Sequence, residues 1–150
     1  AVLSNCSSLG EIAVIVRQAL TIPFIKIDEP MARKAVMIGK RIGIVATAHT
    51  TIGPSTRLFE ETAAELGKEY SIRIFFAEGA YDALLIEKDR EKHDRILMAA
   101  IDKACAESDA VCLAQGSMFS IAEQCYDKQV PVLHSFRTSV EYLTHVLDLE

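Results

Sequence analysis

Short apolar runs alternate along this chain with longer stretches in which apolar residues return every three or four positions. The first pattern reads as buried strands and the second as amphipathic helices. Ala1–Leu3 is a short strand. Leu9–Leu20 reads as a helix with Ile12, Ile15, Val16 and Ala19 on one side. Ile22–Ile27 is a strand. Glu29–Ile38 is a helix, with Pro30 at a tolerated first-turn position and Gly39 as its stop. Arg41–Thr47 is a buried strand, Ser55–Leu66 a helix closed by Gly67, and Ser71–Phe76 a further strand. A short helix over Ala80–Ile86 precedes a long one over Arg90–Glu107, where Leu97, Ala100, Ile101 and Ala104 keep helical spacing. Asp109–Ala114 is a buried strand, Met118–Asp127 a helix, Val130–His134 a strand and Ser139–Leu147 the last helix. Strands alternating with helices predict an α/β fold: parallel sheets flanked by helices.

One stretch repeats. "AVLSNCSSLGEIA" from Ala1 lies over "AVCLAQGSMFSIA" from Ala110, and "IPFIKI" lies over "VPVLHS" with Pro23 on Pro131. The repeat predicts two related halves. It sets Cys6 opposite Gln115 and Lys26 opposite His134.

The 150 residues fit one domain or two small lobes. A net charge of −5 leaves no basic surplus for nucleic acid. No apolar run approaches the roughly 18 residues of a membrane helix, and no signal peptide is visible. The cysteines at 6, 105, 112 and 125 form no C-x-x-C pair, so a zinc site is not expected; the composition points to a reduced cytoplasmic protein. The chain opens inside a strand without an initiator methionine, which leads us to expect a missing upstream piece.

Chemistry is expected beyond the carboxyl ends of the strands, where open α/β sheets bind ligands. Those ends read "NCSS", "TAHTT", "QGS" and "HSFRTS", hydroxyl-rich and each leading into a helix. Helix starts offer free N–H groups and partial positive charge to carboxylates or phosphates. Ser8-x-x-Glu11 is a capping box, a role compatible with anion binding by Ser7 and nearby N–H groups. Cys6 sits where a helix start lowers a thiol's pKa, which suits a base or nucleophile; the alternative is an inert thiol. Cys105 and Cys125 fall in helices and Cys112 in a strand, all as inert residues. Thr47, Thr50 and Thr51 serve either as caps of the Ser55 helix or as ligands. His49 between them suits proton transfer or simple solvation. His93 and His145 read as structural or surface residues. No glycine-rich dinucleotide motif or Walker motif occurs, so no nucleotide cofactor is implied.

The segments "NCSSLGE", "KIDEPMARKAV", "RIGIVATAHTTIGPSTRLFEE", "EGAYDALL", "DREKHD", "DAVCLAQGSMFSIAE" and "VPVLHSFRTSVEYL" together resemble the aspartate/glutamate/hydantoin racemase superfamily over nearly the whole chain. The resemblance implies two similar α/β lobes related by a pseudo-twofold axis, with the active site in the cleft, and leads us to expect that the family's opening strand and helix are missing from this chain. On it we divide the chain into 1–39 of the first lobe, 40–130 as the second lobe, and 131–150 returning to the first. It also implies a cofactor-independent homodimer that moves a proton at the α-carbon of a small carboxylic acid between two cysteines. Decarboxylases share the fold. By this resemblance Cys6 is the first catalytic cysteine, and Ser7, Ser8, Thr47, Thr50 and Thr51 bind substrate with Gln115, Gly116 and Ser117. The second cysteine should fall at Gln115, whose amide is no acid–base group near neutral pH. His49 is the best candidate for the opposing donor, and His134 a weaker one. A decarboxylase, or a carboxylate-binding protein without turnover, is the alternative.

Overall fold

The computed structural model describes residues 1–147, without the side chains of Ser8 and Glu11. Six strands and seven helices alternate along it: β1 (Val2–Ser4), α1 (Gly10–Ala19), β2 (Phe24–Lys26), α2 (Glu29–Ile38), β3 (Arg41–Ala46), α3 (His49–Glu65), β4 (Ser71–Phe76), α4 (Ala80–Leu85), α5 (Arg90–Glu107), β5 (Ala110–Leu113), α6 (Phe119–Ala122), β6 (Val132–His134) and α7 (Ser135–Val146). All strand pairs are parallel. β1 and β2 form a small sheet, and the larger runs β4-β3-β5-β6.

The larger sheet is buried on both faces because its two central strands are apolar apart from the exposed Arg41 at the start of β3. Ile42, Ile44 and Ala46 of β3 face Met31, Ala32 and Ala35 of α2 and Leu58, Phe59 and Ala63 of α3. Val45, Val111 and Leu113 face the other way, onto Leu97, Ile101 and Ala104 of α5. The period of two along each strand separates these cores. β6, which the lobe division assigned with the first lobe, pairs with β5, while α7 packs on α2. Ser139 Oγ of α7 donates to Ile27 O, tying the end of β2 to the larger unit.

The internal repeat is visible in three dimensions. Val2 N donates to Pro23 O at 2.8 Å, and Val111 N donates to Pro131 O at 2.9 Å. The register then continues in step: Ser4 pairs with Lys26 as Leu113 pairs with His134. Two residues beyond Ser4 comes Cys6, and two beyond Leu113 comes Gln115. Each is extended, with φ −128° and −134°, and each precedes a 3₁₀ turn, Ser7–Leu9 or Gly116–Met118. Leu9 N closes on Cys6 O and Met118 N on Gln115 O, both at 3.1 Å.

Several element boundaries differ from expectation. α3 starts six residues before Ser55 and carries Pro54 inside it. A proline there removes one backbone donor, which in this early turn has only the Thr50 carbonyl to bond. α7 starts at Ser135 instead of Ser139, because His134 Nδ1 accepts from Arg137 N and caps it. The helix expected over Met118–Asp127 shrinks to the 3₁₀ turn and α6. The expected apolar side of α1 does not form its contact: Ile12 is 56% and Ile15 68% exposed, and Ala13 is the buried residue. α1 packs on β2 of the small two-stranded sheet, too little sheet to cover a ten-residue helix.

Among the described residues, no helix is long and apolar enough to cross a membrane. No cluster of three or more His, Cys, Asp and Glu among them could hold a metal ion.

Candidate active site

Parallel strands that all end on the same side deliver their following turns to one edge. The turns after β1, β3, β5 and β6 carry the residues that sequence reasoning picked out. Cys6 is exposed at the start of its 3₁₀ turn, and all four cysteines are free thiols. Burial raises the pKa of the Cys112 thiol far above its ordinary value, and those of Cys105 and Cys125 less. Cys6 thus combines exposure with the position of a helix-start thiol. The turn that it opens packs against α3. The Ser8 side chain and the Ser8–Glu11 capping box lie outside the described residues.

Thr47 and Gln115 come from the ends of neighbouring strands and meet face to face. Gln115 Oε1 accepts from Thr47 N at 2.8 Å, and Gln115 Nε2 donates to Thr47 Oγ1 at 2.9 Å. The backbone N–H can only donate, so it fixes which end of the amide is oxygen. Thr47 Oγ1, already an acceptor, keeps its own proton for another partner. Gly116 follows, and Phe136 packs so closely on it that an added Cβ would stand 2.8 Å from the ring edge. Ser117 is exposed.

Thr50 and Thr51 lie in the first turn of α3 and cap no later helix. Thr51 is buried and donates to Ala48 O at 2.8 Å, whereas Thr50 is exposed. His49 opens the helix and stacks on Phe76, with ring centroids 4.0 Å apart and planes 20° from parallel. A cavity of about 310 Å³ is lined by Thr47, His49, Thr50, Phe76, Tyr81 and Asp82. A larger one, about 1110 Å³, adjoins the second 3₁₀ turn and is lined by Lys34, Phe119, His134, Phe136 and Arg137. Cys6 lines neither. His134 is buried; burial first, then the Arg137 charge, lowers its pKa. His93 is buried with Nδ1 2.7 Å from Asp94 Oδ1, and His145 is exposed on α7.

Sequence reasoning passed over Asp28. "IDEP" reads as an ordinary helix cap, yet the Asp28 side chain caps nothing. It is 6% exposed, and Oδ1 is buried without a hydrogen-bond partner. Burial raises its pKa, opposed in part by the Ser7 hydroxyl. Beside it Lys26, also buried, pairs with Glu29 at 3.8 Å, and Arg17 holds the same carboxylate at 2.6 Å. A charged residue in a strand with apolar neighbours was the available signal for Lys26; nothing local distinguished Asp28.

Solved structures share this fold. Glutamate racemase isoform RacE1 from Bacillus anthracis aligns with 97% of this chain and 57% of its own at 19% identity and a TM-score of 0.73. Allantoin racemase from Klebsiella pneumoniae aligns over 98% and 59%, at 19% identity and a TM-score of 0.70. An arylmalonate decarboxylase aligns over 94% and 61%, at 17% identity and a TM-score of 0.51. The chain thus spans somewhat under two thirds of the length of each. No curated protein sequence matches it significantly. The model of the Asp/Glu/Hydantoin racemase family matches residues 1–143, and the chain belongs to that family.

Proposed function

We propose that this chain carries the site of a cofactor-independent, racemase-like isomerase that moves a proton at the α-carbon of a small carboxylic acid. One observation carries the reading: the Cys6 and Gln115 turns share one backbone build, and the first presents an exposed thiol. Hydroxyls of Ser7, Ser8, Thr47 and Thr50, with the 3₁₀-turn N–H groups at Gly116 and Ser117, bind the carboxylate, while the Thr51 hydroxyl is spent on Ala48 O. They also stabilise the enediolate formed from it, commonly the largest catalytic term in such chemistry. The Cys6 thiolate takes the α-proton and becomes a thiol. His49 returns a proton on the opposite face, which inverts the centre.

A second reading is favoured by the Gln115–Thr47 pair, which puts a group that cannot ionise at the position the repeat matches to Cys6. On that reading a carboxylate is lost as CO₂. The Cys6 thiol then protonates the resulting enediolate from one face, and the thiolate regains its proton from solvent. If neither step occurs, the site binds carboxylates without turnover. A cytoplasmic homodimer, with lobes divided at residues 39/40 and 130/131, belongs to the same proposal.

The test is solvent-deuterium exchange followed by NMR on aspartate, glutamate, hydantoins and substituted malonates, with wild type and Cys6→Ala in parallel. Exchange that vanishes in Cys6→Ala supports the thiolate base. Racemic product supports His49 as the second donor, and CO₂ release with single-handed product supports decarboxylation. Exchange that survives in Cys6→Ala rules the thiolate out.

A further inference from the structure

His134 ends the edge strand β6 with its two ring nitrogens in different company. Nδ1 accepts from Arg137 N at 3.4 Å, and a backbone N–H can only donate. Nδ1 therefore carries the lone pair, and the proton of the neutral ring sits on Nε2. Burial first, then the Arg137 charge, holds the ring below the ordinary histidine pKa, against the opposing charges of Glu123 and Glu141. The ring is thus neutral at about pH 7. It is only 8% exposed, and among the described residues Nε2 has no hydrogen-bond partner. The side-chain atoms fully buried without a partner among them are Arg17 Nε and Asp28 Oδ1, so Nε2 is open to the cavity that His134 lines. A nearly buried donor facing a cavity calls for an acceptor there.

The rest of the cavity selects which acceptor. Bounded by α6, β6 and α7, it measures about 1110 Å³, close to the upper end of the roughly 300–1,000 Å³ of small-molecule sites. Aromatic rings stand beside the donor. Phe119 meets the His134 ring edge to face with centroids 5.1 Å apart, and Phe136 meets Phe119 likewise at 6.1 Å. The cations on its wall are already engaged. Glu141 takes Lys34 at 2.9 Å and Arg137 at 3.3 Å, and Asp102 takes Lys128 at 2.7 Å. An anionic group would find no free counter-charge there. A neutral carbonyl on an aromatic ring suits both features: the ring lies against Phe119 and Phe136, and the carbonyl accepts from Nε2 with no charge to bury. Strand addition by a peptide fits worse, since β6 has three residues and Pro131 before it has no N–H to give.

We propose that this cavity is a binding site for a small aromatic compound bearing a neutral carbonyl, such as an aryl amide, held by the Nε2–H of His134. The assignment stands on the cavity and on the hydrogen bonding of one ring, and it does not depend on the chemistry of Cys6.

The test is NMR of the full chain at about pH 7.5, above the ordinary histidine pKa, with benzamide, benzoate and toluene added in turn. Benzamide should shift Phe119, Phe136 and His134 Nε2 in a saturable way. Benzoate and toluene should bind there at least about tenfold more weakly. His134→Asn keeps an acceptor that caps α7 but falls short of the position of Nε2, so it should fold and lose the preference for benzamide. His134→Gln reaches that position with an amide N–H but gives up the cap, so it should keep the preference and lose Tm. Equal affinities for benzamide and toluene, or an undiminished preference in His134→Asn, overturn the role of His134. Benzoate binding as tight as benzamide overturns the neutral-carbonyl assignment. Benzamide that shifts no residue of the cavity overturns the site, and acetyl-tetraalanine amide binding more tightly than benzamide assigns the cavity to a peptide instead. A ¹⁵N spectrum with the His134 proton on Nδ1 overturns the inference without any ligand or variant.

Discussion

Gln115 grips Thr47 at both ends of its amide, across 68 residues of sequence, and so joins the ends of β5 and β3 at the edge of the larger sheet. The pair does two jobs. It satisfies a buried backbone N–H, and it turns the Thr47 hydroxyl into a free donor. These can be separated by substitution.

Gln115→Ala leaves the Thr47 N–H unsatisfied and should cost about 1–3 kcal/mol of stability. Gln115→Glu keeps an acceptor for that N–H, so its cost in thermal unfolding should be smaller. It obliges the Thr47 hydroxyl to donate to the new carboxylate, however, and adds a negative charge at the site. Carboxylate binding, measured by calorimetry, should therefore fall at least about tenfold in Gln115→Glu, a loss of about 1.4 kcal/mol. Equal affinities for wild type and Gln115→Glu would show that Thr47 does not face the ligand.

The thiols should react in an order set by burial. Cys6 is exposed, Cys105 half-buried, and Cys112 and Cys125 buried. Iodoacetamide at neutral pH should add once, at Cys6, read by peptide mass spectrometry. Cys105 should follow slowly, and Cys112 and Cys125 only after denaturant is added. Cys6→Ala should lose the fast addition altogether. Rapid labelling of Cys112 in the native protein would contradict its place in the middle of β5.

Gly116 is a glycine for lack of room. Its φ is ordinary, but an added methyl group would stand 2.8 Å from Phe136 Cε2 and 3.1 Å from Cζ. Gly116→Ala should cost about 1–3 kcal/mol by overpacking. That corresponds to a fall of about 2–4 °C in Tm per kcal/mol for a chain of this size. Phe136→Leu in the same chain should recover part of the loss, so that the two changes are not additive. A fully additive double variant would mean that the ring is not what occupies the space.

Much of this fold was legible because the central strands hold uninterrupted apolar runs, and a run such as "IGIVA" reads as a buried strand. The repeat was legible because Pro23 and Pro131 mark the same hydrogen-bonded position in both halves. Local rules failed at three helices. Gly53 and Pro54 look like breakers, yet α3 runs through both. His134 is no standard cap, yet α7 starts on it. The apolar residues of α1 keep helical spacing without a surface to meet. Within the site, Cys6 and the threonines stood out by type and position. Asp28 did not, since its meaning comes from burial and an unpartnered oxygen, and neither leaves a trace in "KIDEP".

Two buried groups should bend the stability of the protein in opposite directions with pH. His134 has a folded-state pKa below its ordinary value, from burial and the Arg137 charge, so protonation favours the unfolded chain. Its contribution is intact above the ordinary histidine pKa of about 6.5 and is lost as pH falls through the depressed folded value. Asp28 has a folded-state pKa above its ordinary value, mainly from burial, so ionisation favours the unfolded chain. Its contribution is intact below the ordinary aspartate pKa of about 3.9 and is lost as pH rises through the elevated folded value. Urea unfolding across this range should show His134→Gln losing less stability than wild type on acidification below about pH 6.5. Asp28→Asn should lose less than wild type on the alkaline side. If Asp28→Asn follows the wild-type curve there at a constant offset, Asp28 is ionised in the folded protein throughout.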